Sequence, residues 1–334
     1  MQDKTTGKCY ALKCFTKAQK ECADASSNSS SVKFLEKELL VLSQGKEEKY
    51  PVELMDWVDG DSLGACQLKV EDMSTEATKA ELNEAITDEF GVKYSKDGRK
   101  LLKVPQKLKG TYAIKEGTKI ICNMVFCECD SLNSVVIPDG VAVIGNDAFS
   151  YCESLKSIII PDSVTSIGNG AFADCGSLKN LVLPESVVSI KGNLFCKWNG
   201  EVKCLSPNFI FEDGVLFNKD KSTIISFRDK DITSYVIPDY VTSIGGDAFS
   251  GCESLTSLVI PGGVTSIEKM AFSGCKSLKS IVIPDGVTSI GSGAFNGCES
   301  LKSIVIPDSV TCIGNRAFEF CFFFEESRSF KESN

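Results

Sequence analysis

The apolar residues of this chain recur with a fixed period of 23 residues over more than half of its length. The unit reads L-x-x-I-x-I-P-x-x-V-x-x-I-G-x-x-A-F-x-x-C-x-S, and residues 278–300 are a clear instance. Units begin at residues 132, 155, 178, 232, 255, 278 and 301, and a weaker one begins at Lys109. One unit is too small to bury its own apolar side chains, so the period predicts a solenoid of stacked units.

The pattern inside one unit predicts its elements. Residues 280–283 alternate with β-branched side chains and predict a short strand. Pro284 ends the strand because it has no N–H to continue a ladder. Val287 and Ile290 predict a second inward-facing pair, and residues 293–298 predict one helical turn. The fold class is therefore an α/β repeat solenoid with a parallel β face and short helical turns.

The recurring Pro, Gly, Ala-Phe and Cys closely resemble the BspA-type, or Treponema-type, leucine-rich repeat. The resemblance implies a right-handed leucine-rich-repeat solenoid over residues 109–323, and the family is associated with bacterial surface adhesion and host-protein binding. Two units depart from the pattern. Lys191, Leu194 and Trp198 replace Gly, Ala and Cys in one, and Glu268 replaces Gly in the other. We expect local distortion at both places without a break in the stack.

An insert at residues 201–231 separates two runs of repeats. Within it, residues 215–220 and 224–227 predict a β-hairpin with a polar turn. A shift of 123 residues lays Val92 and Tyr94 under Val215 and Phe217, so we expect a similar hairpin in the linker 69–108. We interpret both as edge covers or spacers, and a binding protrusion is the alternative.

Residues 1–68 lie outside the repeat and predict a small α+β segment that resembles part of a bacterial protein kinase N-lobe. Tyr10-Ala11-Leu12-Lys13 is similar to the strand that carries the ATP-pairing lysine, and residues 50–63 look like the strand before the hinge. Residues 34–42 and 50–58 predict a hairpin. Lys13 is thus a cofactor-binding position by family resemblance only, and a solvated strand lysine is the alternative. No glycine-rich loop, H-R-D or D-F-G accompanies it, so we expect a remnant without catalysis.

Two segments flank the solenoid. Ala77, Leu82, Ile86 and Phe90 recur near helical spacing, which predicts an amphipathic helix over residues 73–89 that covers one end of the stack. After the last unit come three phenylalanines at 322–324 and a polar tail at 324–334. No capping unit is visible there, so we expect some exposed apolar surface.

Histidine is absent, which excludes Ser-His-Asp and Cys-His catalysis and all histidine metal sites. The chain has 16 cysteines, and seven of them occupy one repeat position: Cys129, Cys152, Cys175, Cys252, Cys275, Cys298 and Cys321. We interpret this cysteine ladder as small buried hydrophobes. Disulfides between units are not excluded by spacing alone, and Cys122, Cys127 and Cys129 are a weak metal motif. We expect no enzyme activity, cofactor or metal.

The outward positions of the predicted strands form two rows. The first, which we call the valine stripe, is Val136, Ile159, Val182, Val236, Val259, Val282 and Val305. The second, the serine row, is Ser134, Ser157, Ser234, Ser257, Ser280 and Ser303. An exposed apolar stripe flanked by hydroxyls predicts a protein-binding concave face, with Ser157, Ser257 and Ser280 among the contacts. The alternative is that β-branched residues merely favour strands.

Charge and hydropathy limit the partners. The formal net charge of −9 lacks the basic footprint of a nucleic-acid binder, and no stretch is long and apolar enough for a membrane span. No apolar run follows Met1, so the chain as written is expected in the cytoplasm, with the cell surface as the alternative. We therefore expect a non-catalytic protein-interaction module. A BspA-type adhesin and a degenerate kinase-like nucleotide binder are the other hypotheses.

Overall fold

The fold is described from a computed structural model. It describes residues 74–228 and 231–321 with their side chains, and the backbone of four strands between residues 10 and 56. The chain divides into two compact units, Met1–Leu68 and Lys69–Asn334. The kinase-like side chains, including that of Lys13, and the segments 322–324 and 324–334 lie outside the described residues.

The first unit contains a four-stranded antiparallel sheet. Its strands are β1 (Tyr10–Cys14), β2 (Val32–Leu35), β3 (Glu38–Ser43) and β4 (Lys46–Asp56). The strand order is β1-β4-β3-β2, and β3 and β4 form a hairpin in which Ser43 pairs with Lys46. The predicted hairpin thus corresponds to β3 and β4, but residues 34 and 35 belong to β2.

The second unit begins with α1 (Lys79–Asn83), β5 (Ile86–Thr87), β6 (Lys93–Tyr94) and β7 (Lys100–Lys103). A capping box starts the helix: the Glu81 N–H donates to Thr78 Oγ1, and Glu81 Oε2 accepts from the Thr78 N–H. The expected helix over 73–89 is therefore wrong in extent. Ala77 and Leu82 pack against the core, whereas Ile86 and Phe90 are exposed.

Short strands then alternate along the repeats. In the first run they are β8 (Gly110–Ala113), β9 (Ile120–Ile121), β10 (Leu132–Val136), β11 (Val143–Ile144), β12 (Ser157–Ile159), β13 (Ser166–Ile167), β14 (Asn180–Leu183) and β15 (Ser189–Ile190). The insert supplies β16 (Glu201–Cys204), β17 (Phe209–Glu212), β18 (Val215–Asn218) and β19 (Thr223–Phe227). The second run has β20 (Ser234–Val236), β21 (Ser243–Ile244), β22 (Ser257–Val259), β23 (Ser266–Ile267), β24 (Ser280–Val282), β25 (Ser289–Ile290), β26 (Ser303–Val305) and β27 (Cys312–Ile313).

Each 23-residue unit is one rung of a parallel β-solenoid. The even-numbered strands from β8 to β16 and from β20 to β26 form the strand face. The two-residue strands of the rungs belong to two seven-stranded sheets, one for each run. Equivalent residues of successive rungs are paired directly, such as Val236 with Val259 and Val282 with Val305. A fixed repeat position therefore becomes a straight row along the stack. This confirms the predicted repeat solenoid.

The predicted helical turn at residues 293–298 is instead a series of tight turns. Gly293 and Gly297 have left-handed φ angles of 64° and 71°, which a helix does not contain. The N–H groups alternate in direction: that of Phe295 donates to the Ala317 carbonyl of the next rung, whereas that of Cys298 donates back to the Phe295 carbonyl. Half of the backbone donors of this segment thus join neighbouring rungs.

The turn segments of the rungs, together with Phe227 at the end of β19, supply the middle of the core, which we call the phenylalanine stack. Its rings lie nearly parallel with centroids 4.8–5.7 Å apart: Phe126, Phe149 and Phe172 in the first run, and Phe227, Phe249, Phe272, Phe295 and Phe318 in the second. The unit with Glu268 keeps the backbone bonding of its neighbours, so the expected distortion is not seen there. Trp198, in the other divergent unit, is buried and its indole N–H donates to the Leu178 carbonyl.

The two runs join across the insert on the turn side. Asn193 Nδ2 donates to the Ala248 carbonyl at 3.1 Å, and Asn193 Oδ1 accepts from the Ser226 hydroxyl. The Cys196 thiol donates to the Ser250 carbonyl at 3.2 Å. In the insert, β18 and β19 pair antiparallel, as β6 and β7 do before the first run.

Candidate functional site

All seven residues of the valine stripe point out of the strand face. Their exposed fractions range from 42% at Val182 to 80% at Ile159. The neighbours of Ile159, Ile158 and Ile160, are buried. The alternation of a β-strand produces this contrast, because successive side chains leave opposite faces.

The serine row lies beside the stripe. Ser157, Ser257 and Ser280 are exposed, as are Ser234 and Ser303, and Ser134 is half-buried. Ser257 pairs directly with Ser280, which keeps the row straight. The Ser157 hydroxyl lies 3.4 Å from the Ser134 hydroxyl. The strand face thus offers hydroxyl groups at rung spacing next to an apolar line.

One strand of the insert interrupts the stripe, which the sequence analysis missed. β16 pairs in parallel with β14 and sets Lys203 directly opposite Val182. Lys203 is exposed at a position where every other strand of the stripe carries Val or Ile. The alternation Glu201-Val202-Lys203-Cys204 was the available signal, because Val202 and Cys204 are the inward members. The stripe therefore consists of a three-rung patch and a four-rung patch.

Charged residues flank the four-rung patch on both sides, and the sequence analysis also missed these. Lys279 precedes Ser280, and Asp285 follows Pro284 on the same rung. Both are exposed, and so are Lys302 and Asp308 at the same positions of the next rung. The P-D dipeptide that follows most of the strands, three of the four in this patch, was the signal for the acidic side. On these rungs the strand face therefore has a basic end and an acidic end.

The cysteine ladder is a structural feature of the core. Cys152, Cys175 and Cys275 are buried and free, and each thiol donates to the carbonyl of the phenylalanine in the preceding rung at 3.0–3.3 Å. Burial raises the pKa of the Cys175 and Cys275 thiols to about 12, so they stay protonated and unreactive at neutral pH. Among the residues that the structure describes, no cluster of three Cys, Asp or Glu side chains is arranged to hold a metal ion.

Parallel rungs, a buried phenylalanine stack and an exposed strand face define a repeat-solenoid scaffold of the leucine-rich class. The sequence matches the model of the BspA type leucine rich repeat region in 6 copies, over residues 110–209 and 224–331. That is more than half of the chain, so this protein belongs to the BspA-type leucine-rich-repeat family. Solenoids of this family are typically non-enzymatic, and leucine-rich repeats commonly mediate contacts between proteins.

Solved structures of similar fold come from several bacteria. The pneumococcal vaccine antigen PcpA is 24% identical with a TM-score of 0.47, over 69% of this chain and 68% of its own. A leucine-rich cell surface protein from Faecalibacterium prausnitzii is 22% identical with a TM-score of 0.47, over 90% of this chain and 97% of its own. A leucine-rich repeat protein from Bacteroides ovatus is 21% identical with a TM-score of 0.35, over 87% and 91% of the two chains. No curated protein matches the sequence.

Within the described parts of the chain, none of the helices is long and apolar enough to cross a bilayer.

Proposed function

We propose that this protein is a non-catalytic module that binds a protein partner through the strand face, with the valine stripe as the contact. One observation carries the proposal: seven β-branched side chains are exposed in rows on one face. Soluble proteins rarely expose a contiguous apolar surface without a use for it. The serine row and the flanking charges supply the polar rim that protein interfaces commonly have.

The test introduces charge into the stripe. In full-length protein, Val259→Asp with Val282→Asp places two carboxylates in the centre of the four-rung patch. We expect loss of partner capture from an extract of the source cells, with an unchanged circular dichroism spectrum, because both side chains are more than half exposed. The matched control is Ser292→Asp with Asn315→Asp, which adds the same charge at exposed positions away from the strand face. Unchanged capture by the stripe variant would show that this face is not the contact.

Membership of the BspA-type family favours a second form of the proposal, in which the partner is met at the bacterial cell surface. Labelling of intact cells with a membrane-impermeant amine reagent tests it. A tagged chain supports an adhesin, and a chain tagged only after lysis contradicts one. The nucleotide-binding hypothesis depends on Lys13, whose side chain is outside the described residues, and no described residue favours it.

A further inference from the structure

We propose that the four-rung patch β20–β26 is a contact between two copies of this chain, related by a two-fold axis parallel to the stacking direction. The inference rests on the proposed function and deepens it, because it names the occupant of this part of the valine stripe.

The two ends of a rung in this patch carry different side chains. The residues before the serine row in this patch are Thr233, Thr256, Lys279 and Lys302, in stacking order. The residues after the prolines are Asp239, Gly262, Asp285 and Asp308, in the same order. Because the strands are parallel and in register, one side of the patch is neutral or basic and the other side is neutral or acidic.

A two-fold axis along the stack makes each rung face itself and exchanges its two ends. Lys279 then meets Asp285 of the second copy, and the next rung repeats this pair. Asp239 meets Thr233, which can donate a hydroxyl hydrogen bond. No rung opposes like charges.

A two-fold axis across the stack gives the opposite result. It sets the first rung against the last, so that Asp239 faces Asp308 and no ion pair forms. Like charges placed together in an interface repel each other and disfavour that arrangement. Charge therefore favours the dimer whose two-fold axis is parallel to the stacking direction, which we call the parallel arrangement.

The middle of the patch suits the same arrangement. Val236, Val259, Val282 and Val305 lie on the axis and would meet their own copies, with no charged side chain between them. The three-rung patch differs because Lys203 lies beside Val182 at a stripe position and would face itself. We therefore centre the contact on the second run, where no charged side chain occupies a stripe position.

The size of the patch sets the expected affinity. Six residue steps at about 3.3 Å and four rungs at about 4.8 Å give roughly 400 Å² per copy. A standard stable interface buries about 800 Å² per partner. We therefore expect a weak dimer, with a dissociation constant on the order of 100 µM.

The experiment is sedimentation equilibrium of the full chain from about 5 to about 500 µM, which brackets that affinity. We expect the mean mass to rise toward twice that of the monomer. Lys279→Glu and Asp285→Lys each replace an ion pair by repulsion, so each variant alone is expected to stay monomeric. An equimolar mixture of the two restores opposite charges at that rung and is expected to associate at least about tenfold more tightly than either alone. Both residues are exposed, and circular dichroism confirms folding.

Crosslinking then tests the direction of the axis. Val282→Cys faces itself in the parallel arrangement and is expected to give a new disulfide-linked dimer, relative to the unsubstituted chain. A mixture of Val236→Cys and Val305→Cys crosslinks between the two variants only if the axis runs across the stack. That result would overturn the parallel arrangement.

Other outcomes separate this inference from the proposed function. A wild-type chain that is monomeric at about 500 µM, or a charge-swapped mixture no tighter than its components, overturns the dimer. If Val259→Asp with Val282→Asp still abolishes capture of another protein, the proposed function then stands alone. A dimer that persists in that variant places the contact elsewhere and contradicts the inference.

Discussion

Two rows of side chains repeat with the same period in this molecule, but one is buried and the other is exposed. The phenylalanine stack is buried, with the rings of Phe249 and Phe272 only 5.2 Å apart, whereas Val259 on the same rung as Phe272 is half exposed. Phe272 lies in the tight turns, and its ring points into the core. Val259 lies in β22, and its side chain points away from the core because successive side chains of a strand leave opposite faces. A repeat period therefore predicts that equivalent residues stack in a row. Whether that row is buried or exposed depends on the local backbone conformation.

The largest difference between the two rows is expected when one side chain of each is truncated to alanine. Phe272→Ala removes a ring that contacts two neighbouring rings, and we expect it to lower the free energy of unfolding by about 3–5 kcal/mol. Val259→Ala removes exposed atoms and is expected to change it by less than about 0.5 kcal/mol. Urea unfolding followed by circular dichroism measures both. Equal effects would mean that the stripe is core and not surface.

A second test concerns charge on the turn side. Burial raises the pKa of Asp247 to about 6, Lys269 opposes this, and Asp147 adds to it. The unfolded carboxyl has a pKa of about 3.9, so the ionised form is less favourable in the folded state and stability falls as pH rises from about 4 through about 6. We expect Asp247→Asn to raise the free energy of unfolding at pH 7 by about 1–2 kcal/mol and to have little effect at pH 4.

The measurement is the melting temperature at several pH values. Asn tolerates the left-handed φ of 57° at this position, so the backbone is not strained by the change. The exposed Asp285→Asn on the strand face is the control and is expected to stay within about 0.5 kcal/mol of the parent protein. A gain for Asp247→Asn that is equal at pH 4 and pH 7 would contradict a desolvated carboxylate.

A smaller effect is expected in the cysteine ladder. Cys275→Ala removes a thiol that donates to the Phe249 carbonyl at 3.3 Å and leaves a small void, so we expect a loss of about 1 kcal/mol. Cys312, which is exposed on the second sheet, provides the control: Cys312→Ala is expected to be neutral. Chemical denaturation of the two variants and the parent protein measures both changes in the free energy of unfolding. A neutral Cys275→Ala would mean that the thiol contributes neither packing nor a hydrogen bond.

The sequence predicted the rungs because every inward position repeats: the strand at Ser280–Val282 and the inward Phe295 both lie where their spacing placed them. It predicted the outward direction of the stripe from strand alternation alone. The helix over residues 73–89 failed because Asp88 accepts the backbone N–H groups of Phe90 and Val92, and this local turn outweighs the apolar spacing.

The remaining errors share a different cause. A period of 23 residues does not show where the backbone N–H groups donate, so the sequence predicts a helical turn at residues 293–298. In the structure, half of these N–H groups donate to the next rung. Lys203 was missed because β16 has no repeat partner in the sequence, and only the pairing with β14 reveals its place in the row. The spacing of residues in the sequence does not predict contacts between rungs that differ in sequence.

The buried thiols have a consequence for the lifetime of the molecule. While the rungs stay stacked, the raised pKa of Cys175 and Cys275 shields them from oxidants. A copy that unfolds loses this protection, and a disulfide formed between cysteines of distant rungs then prevents those rungs from stacking again. In an oxidising medium each opening of the chain thus becomes an irreversible step, and the working life of the protein is governed by its rate of unfolding and not by its equilibrium stability.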